Sequence, residues 1–432
     1  MLPWTVPYDE NGEYIRNPNG DVNIINPIRE LDYNTNQRRT FRANASMYAQ
    51  VDFGKIWEPL EGLSYRIQFG PEFQYYTLGI ANAADGINGD GNNRAQYKNE
   101  QKRSWTLDNL IYYNRQFAEK HNLGLTLMQS ASAYHYEMGD MRATDVASSQ
   151  ELWYNLASAG TLGSFGTGLT ETQMTSYMIR ANYGFMDKYL LTASMRWDGA
   201  SQLAPGHKWA SFPSMALAWR LDQENFLKDV AFLDLLKVRA SWGLTGTDIM
   251  PEALMWNRKY GWANGYILGG EYNGASGLGE GRLPTTDMLY EKVAKANLGL
   301  DMSFVKSVDL TVELFKEKRT DMLVTPGDIS AVLGATNAYQ NIGKVENKGI
   351  EIGANYHKEL KDFRFNAGAN FTFNRNKIIE MGEEYAPYEW MKATGRPVGQ
   401  IFGYEAIGFF KDEQDIANSP KQNMSTVKPG DI

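Results

Sequence analysis

Residues 363–374 read Phe363-Arg364-Phe365-Asn366-Ala367-Gly368-Ala369-Asn370-Phe371-Thr372-Phe373-Asn374. Successive side chains on a β-strand point to opposite faces. Phe363, Phe365, Ala367, Ala369, Phe371 and Phe373 therefore make one apolar face, and the alternate residues make a polar one. Aromatic rings stand at both ends of the apolar row with alanines between them. That is the arrangement of a strand crossing a bilayer between two interfacial aromatic girdles. The stretch predicts one strand of an all-β, transmembrane antiparallel β-barrel wall.

The same unit recurs upstream. Phe41, Ala43, Ala45, Met47, Ala49, Val51 and Phe53 alternate with polar partners, and after Lys55 to Gly62 come Leu63, Tyr65, Ile67, Phe69, Phe73 and Tyr75. Pro71 in that run requires a bulge or a position whose N–H is not used. Further pairs join at Ala118 to Asn122, Met186 to Lys188, Val305 to Ser307 and Lys358 to Asp362. Trp209 to Trp219 and Leu236 to Leu244 flank residues 223–235, for which a short helix is expected. The runs number about twelve. Long polar loops are expected at about 79–99, 139–173, 245–288 and 325–338.

Short and long connections alternate, as periplasmic turns and extracellular loops do in outer-membrane barrels. On this topology residues 1–39 lead in from an extracellular loop, 40–376 hold the barrel strands and loops, and 377–432 are again extracellular. Each open sheet edge would leave about ten backbone polar groups unpaired in lipid, at several kcal/mol each. The expectation is the middle of a larger barrel. The start, Met1 to Tyr8, lacks the basic region and apolar core of a secretion signal, which an outer-membrane protein requires.

Composition is compatible with this reading. Hydrophobic residues make up 43% and mean hydropathy is -0.47, an average that a barrel with a polar lumen shares with a large soluble protein. No run approaches the ~20 apolar residues of a membrane helix. The net charge of -8, with no Lys/Arg cluster apparent, argues against a nucleic-acid partner. With no cysteine there are neither disulfides nor thiolate metal sites.

Between residues 289 and 353 several motifs cluster: Leu289-Tyr290-Glu291-Lys292, Asn297-Leu298-Gly299-Leu300-Asp301, Lys318-Arg319-Thr320-Asp321-Met322-Leu323, and Asn341-Ile342-Gly343-Lys344-Val345-Glu346-Asn347-Lys348-Gly349-Ile350-Glu351. Flanking runs are Pro7-Tyr8-Asp9-Glu10-Asn11-Gly12, Asn374-Arg375-Asn376-Lys377-Ile378 and Lys428-Pro429-Gly430-Asp431-Ile432. The chain resembles the SusC/RagA family of TonB-linked outer-membrane proteins over nearly its whole length. The resemblance implies a plugged barrel of roughly 22 strands, of which this chain holds about half. It also implies a Bacteroidota outer membrane, a SusD-like surface lipoprotein, TonB acting through a plug segment not in this chain, and an oligosaccharide or peptide substrate. No cofactor is implied.

Candidate sites divide into structural and binding groups. Asn297, Gly299, Asp301, Asp321, Asn341, Gly343, Asn347, Gly349 and Glu351 are family-signature positions expected to shape the wall. Trp256, Tyr260, Trp262, Tyr266 and Tyr272 form an aromatic loop whose flat faces suit stacking on substrate or contact with the lid lipoprotein; loop-on-loop packing is the alternative. His121, His135, His207 and His357 lack metal-ligand spacing. Glu383-Glu384 and Asp9-Glu10 read as loop carboxylates, and Asp85 to Asn92 resembles a calcium loop without its terminal bidentate Glu. No catalytic residue and no metal site is assigned. The leading function is the barrel portion of a TonB-dependent importer. The alternatives are a soluble secreted β-rich glycan-binding protein or hydrolase, built as a sandwich, and a passive porin.

Overall fold

The computed structural model describes residues 5–431 except 19, 22–23, 249, 251–253, 263–265, 269–270, 274–277, 328–334 and 422–425; the side chains of 262, 266–268, 271–273 and 278 also lie outside the description. A short helix, α1 (Pro27–Tyr33), leads into β1 (Asn34–Asn44) and β2 (Met47–Asp52). There follow β3 (Leu63–Asn82), β4 (Arg94–Phe117), β5 (His121–Thr144), β6 (Thr161–Phe185), β7 (Tyr189–Ala200), β8 (Trp209–Arg220) and β9 (Leu233–Thr247). Four three-residue strands, β10 (Tyr260–Trp262), β11 (Tyr266–Leu268), β12 (Glu271–Asn273) and β13 (Leu278–Glu280), occupy the next loop. The wall resumes with β14 (Glu291–Phe304), β15 (Val308–Val324), β16 (Gln340–Leu360) and β17 (Phe363–Glu380), and α2 (Glu413–Asn418) comes last.

Thirteen strands form one antiparallel sheet in the order β1-β3-β4-β5-β6-β7-β8-β9-β14-β15-β16-β17, with β2 also on β3. Because β1 and β2 lie end to end along β3, the wall has the expected twelve staves. Pro71 explains their separation. The Ala45 N–H donates to the Pro71 carbonyl at 3.1 Å, so the edge where Pro71 has no N–H faces the break between β1 and β2.

The register carries the apolar face around the wall. Phe373, Ile350, Leu314, Leu298, Ala240, Leu217, Leu191 and Tyr183 are successive, directly opposed partners across eight strands. Phe373 ends the apolar row far from its turn, whereas Tyr183 lies close to its own. This line perpendicular to the strands therefore descends from one girdle to the other. Seven inter-strand steps of ~4.8 Å at a tilt of ~40° drop roughly 22 Å, close to the ~25 Å apolar band of such barrels. Among the described residues no second sheet covers the outward rings, and Phe363 and Phe371 are 62% and 57% exposed. This removes the sandwich packing that the secreted alternative needs.

Polar groups on the outward face satisfy one another. The Tyr65 hydroxyl donates to Asn109 Oδ1 at 2.6 Å, and Asn109 Nδ2 donates to Gln129 Oε1 at 2.7 Å. In lipid, where water cannot replace a partner, such a cross-strand chain removes the penalty of each isolated group.

Several boundaries differ from the sequence expectation. The loops at 79–99 and 139–173 shrink to 83–93 and 145–160, because β3 to β6 remain hydrogen-bonded beyond the apolar row. Ladder pairing needs no apolar side chain, so periodicity underestimates strand length outside the bilayer. Residues 223–235 hold no α-helix. Instead there is a 3₁₀ turn at Leu221–Gln223, where the buried Asp222 carboxylate pairs with Arg220 at 2.7 Å and accepts the Leu236 N–H at 3.3 Å.

Three of the tight turns share one geometry. Ala118 and Glu119, Met186 and Asp187, and Val305 and Lys306 all have φ between 46° and 58°, and each pair follows a phenylalanine: Phe117, Phe185 or Phe304. Two consecutive left-handed residues match the right-handed twist of the flanking strands. Beside one such turn, Phe185 stacks near Tyr189 at 6.3 Å and Tyr189 near Trp219 at 6.2 Å. Glu224 gathers their polar ends, accepting from the Tyr189 hydroxyl at 2.7 Å and Trp219 Nε1 at 3.1 Å and pairing with Lys188 at 3.2 Å. These partners hold its carboxyl below the usual glutamate range.

Two outcomes follow in the intact protein. Val305 is β-branched at φ 46°, so Val305→Asn is expected to raise stability by about 1 kcal/mol in urea unfolding from bilayers; an unchanged midpoint would argue against strain there. Glu224 contributes its stability fully above the ordinary glutamate range and loses it as pH falls through the depressed value. Glu224→Gln should therefore flatten the acid limb of the stability profile, and coincident acid limbs would rule the clip out.

Candidate functional site

The polar parity of the wall faces the lumen. Arg239, Gly299, Glu313 and Glu351 are directly opposed across β9, β14, β15 and β16. Arg239 reaches past its immediate neighbour: one guanidinium nitrogen lies 2.6 Å from Glu313 Oε2, while Nε is 3.4 Å from Asp301 Oδ2. Lys237 holds the same Asp301 oxygen at 2.8 Å. Crossing β14 requires a gap in its side chains, and Gly299 provides it. A Cβ at Gly299 would stand 2.5 Å from the guanidinium carbon. The signature Asn297-Leu298-Gly299-Leu300-Asp301 thus combines a lipid-facing Leu pair with a lumenal bridge.

A second knot ties the top of β14, β15 and β16. The Leu289 N–H donates to Asn341 Oδ1 at 3.0 Å, and Asn341 Nδ2 donates to the carbonyls of Leu289 at 3.2 Å and Asp321 at 2.6 Å. Asp321 has φ 58° at the point where the β15–β16 register slips. Lys292 pairs with its carboxylate at 3.5 Å, and Glu291 accepts the Leu323 N–H at 3.1 Å. Gly343 admits Met322 and Val324, each 2.9 Å from where its Cβ would be. Gly349 admits the Phe315 ring at 2.8 Å. Asn347 carries a buried Oδ1 without a partner among the described residues, at a lumenal recess of about 510 Å³ with Lys295, Glu317, Arg319, Asn374 and Asn376.

Beyond Ser214, toward the extracellular end, β8 parts from β9. Their pairing covers only Ser214 to Arg220, while β9 continues along β14 to Thr247. An apolar cluster of Leu203, Phe212, Met255, Met288 and Tyr290 fills the opening. Tyr290 meets Phe212 edge-on at 5.7 Å and donates to the Asp198 carbonyl at 3.2 Å, and burial pushes its phenol up. Trp256 packs against this cluster, half-buried, as the loop-packing alternative requires. Tyr260 is instead 63% exposed. The backbones of Trp262, Tyr266 and Tyr272 lie in β10, β11 and β12, but their side chains are outside the described residues.

The other candidates fall into local roles. Asp9 accepts backbone N–H groups from Asn11 and Glu13, and Glu383 accepts those of Ala393 and Thr394, so these carboxylates close loops. The Asp85 to Asn92 loop is tied to α1, with the Ile87 N–H on Glu30 at 3.0 Å. His121 meets the Tyr183 hydroxyl at 2.7 Å and His135 meets Glu171 at 2.9 Å. No group of three or more His, Asp or Glu side chains among the described residues could hold a metal ion.

A family model described as "TonB dependent receptor-like, beta-barrel" matches residues 2–426. The chain belongs to this family. The TonB-dependent receptor P39 of Formosa agariphila is 28% identical over 422 residues, covering 95% of this chain and 38% of that protein. The TonB-dependent receptor SusC of Bacteroides thetaiotaomicron is 31% identical over 283 residues, covering 60% of this chain and 27% of that protein. The RagAB peptide importer in its closed-closed state has the same fold, with a TM-score of 0.75 at 20% identity over 90% of this chain and 43% of that one. The SusC/RagA resemblance is thus supported by sequence and by fold. This receptor chain spans about two fifths of the length of the first relatives it matches.

Sequence reasoning marked Gly299 and Asp301 but not Arg239 or Glu313. Their signal was present, since Lys237 and Arg239 share the lumenal parity of a strand whose other parity is apolar. In the receptor, Gly299→Ala is expected to drive Arg239 off Glu313 and cost roughly 1–2 kcal/mol. Unfolding of the intact protein in detergent tests this, and an unaltered midpoint would show that the bridge relaxes freely.

Proposed function

We propose that this chain forms barrel wall for a TonB-dependent importer that takes up oligosaccharides or peptides with a SusD-like surface lipoprotein. The observation that carries the proposal is the lumenal face itself. A wall lined with paired charges and amides, apolar on its other face, separates an aqueous path from lipid. The recess beside Asn347, lined by Lys295, Glu317, Arg319, Asn374 and Asn376, presents charged and amide groups to either substrate class, because peptides and sugars both carry hydrogen-bond donors and acceptors. Similarity to SusC and to a peptide importer supports a nutrient cargo, and relatives in Formosa and Bacteroides support a Bacteroidota outer membrane. Residues 1–39 and 377–432 are read as extracellular, where they would border the lid. The wall's part is passive: energy coupling belongs to a plug and TonB.

Of the aromatic-loop rings, Tyr260 is exposed, which supports reading it as the one that would meet cargo or lid. Uptake of labelled oligosaccharide and peptide pools by cells carrying the intact receptor should stop when TonB is deleted. It should fall about fivefold with Tyr260→Ala, the loss of one stacking contact of ~1 kcal/mol. Uptake that survives TonB deletion would favour a passive porin. TonB-dependent uptake indifferent to Tyr260→Ala would remove the loop from the binding path and leave transport standing.

A further inference from the structure

The chain as a whole is acidic, yet one outward patch of the wall is strongly basic. On β15, β16 and β17 the outward apolar row ends at Leu314, Ile350 and Phe373, which are direct partners. The next outward row holds Lys316, Lys348 and Arg375, again directly opposed. The row beyond it holds Lys318, Glu346 and Lys377. Five cations and one carboxylate thus occupy a grid of six neighbouring positions in a chain of net charge -8.

Like charges directly opposed across a sheet repel, so a sheet that keeps three in line loses stability unless something neutralises them. Protein groups do little of this. Glu346 reaches Lys316 at 3.0 Å, and no ion pair to Lys318, Lys348, Arg375 or Lys377 occurs among the described residues. Lys316 remains 59% exposed, and Arg375 lies 5.0 Å over the Phe373 ring, held beside the girdle. The opposite side of the wall differs. At the corresponding level of β4 to β6, Arg103 lies near Glu137 at 3.8 Å and His135 meets Glu171 at 2.9 Å, so carboxylates face the basic side chains there.

Height selects the ligand. The row from Phe363 to Phe373 is eleven residues long, the length a tilted strand needs to cross the hydrocarbon core, and it begins at a periplasmic turn. Arg375 and its neighbours are the first outward side chains above it. They stand where headgroups of the outer leaflet lie, and they point away from the lumen and its cargo. Cations clustered at a membrane surface attract anionic lipids, and several in one plane hold a phosphate by charge-assisted hydrogen bonds.

We infer that Lys316, Lys318, Lys348, Arg375 and Lys377 form a binding site for a phosphate-bearing glycolipid of the outer leaflet, its acyl chains lying along Leu314, Ile350 and Phe373. The lipid supplies the negative charge that the sheet omits and fixes the depth of this side of the barrel.

The test uses the intact receptor, purified in mild detergent and exchanged into nanodiscs containing either phosphorylated lipid A or the same lipid stripped of phosphate. Native mass spectrometry reads the lipid retained, and heat-modifiable mobility confirms a folded barrel. The wild type should retain the phosphorylated form preferentially. Lys348→Gln should lower retention roughly fivefold, and Lys316→Gln/Lys348→Gln/Arg375→Gln about a hundredfold. Glu346→Gln, which removes the single opposing carboxylate, should raise it, and Arg103→Gln on the far wall should leave it unchanged. Equal retention of both lipids, or of phosphorylated lipid by the triple variant, would overturn the site. Displacement of the lipid by millimolar inorganic phosphate would reassign it to free anions. If the triple variant fails to assemble, the two single variants still test the site: Lys348→Gln and Glu346→Gln moving retention in opposite directions supports it, and no change in either overturns it.

Discussion

Every backbone N–H and C=O placed in hydrocarbon must find its partner inside the protein, and the rest of this structure depends on that requirement. It selects a continuous antiparallel ladder. It tolerates Pro71 only where the opposing strand is interrupted. It also explains why Tyr65, Asn109 and Gln129 appear as a hydrogen-bonded chain on a face meant for lipid. The cost of a left-handed residue at Val305, ~1–2 kcal/mol, is small beside the cost of several unpaired groups, so the turn keeps its strain to preserve register.

The register converts this local requirement into function. Side chains two residues apart along a strand share a face, and directly opposed residues on neighbouring strands stack into rows around the wall. One set of rows meets lipid and the other lines the lumen. In the lumenal set, glycines act as clearances: Gly299 lets Arg239 cross β14, and Gly349 leaves room for the Phe315 ring. Both keep the interior open while fastening three strands together. The same registration sets three cations side by side above the lipid band, a grouping dispersed along the chain across β15, β16 and β17.

Where the ladder is interrupted, side-chain packing takes over from backbone pairing. Where β8 leaves β9, the opening is sealed by Leu203, Met288 and Tyr290, a small apolar core built from loops far apart in sequence. Trp256 is drawn into that core while Tyr260 stays in solvent, so two rings of one aromatic cluster have separate fates. Asn341 then anchors the loop ahead of β14 to the bulge at Asp321, which gives the signature residues a mechanical role at the rim.

The period-two pattern of Phe363 to Phe373, the turns at Met186 to Lys188 and Val305 to Ser307, and the twelve staves were legible along the chain, because alternation and turn chemistry are local properties. The family signature was legible too, although as a motif without a cause. Strand ends such as Asn82 and Arg94 were not, since hydrogen-bonded pairing leaves no apolar imprint outside the membrane. The short helix expected near 223–235 was displaced by Asp222, whose partners Arg220 and Leu236 meet only when the turn closes. Sequence alone thus determined the lipid-facing row of the cleanly alternating strands and how many times the chain crosses the wall, whereas the faces of β4 and β5 followed only from their register with β3 and β6. Only the tertiary structure decided that Arg239 bridges to Glu313, that Trp256 is packed, and that Lys316, Lys348 and Arg375 stand in one row, because each depends on cross-strand register and loop closure between residues distant in the chain.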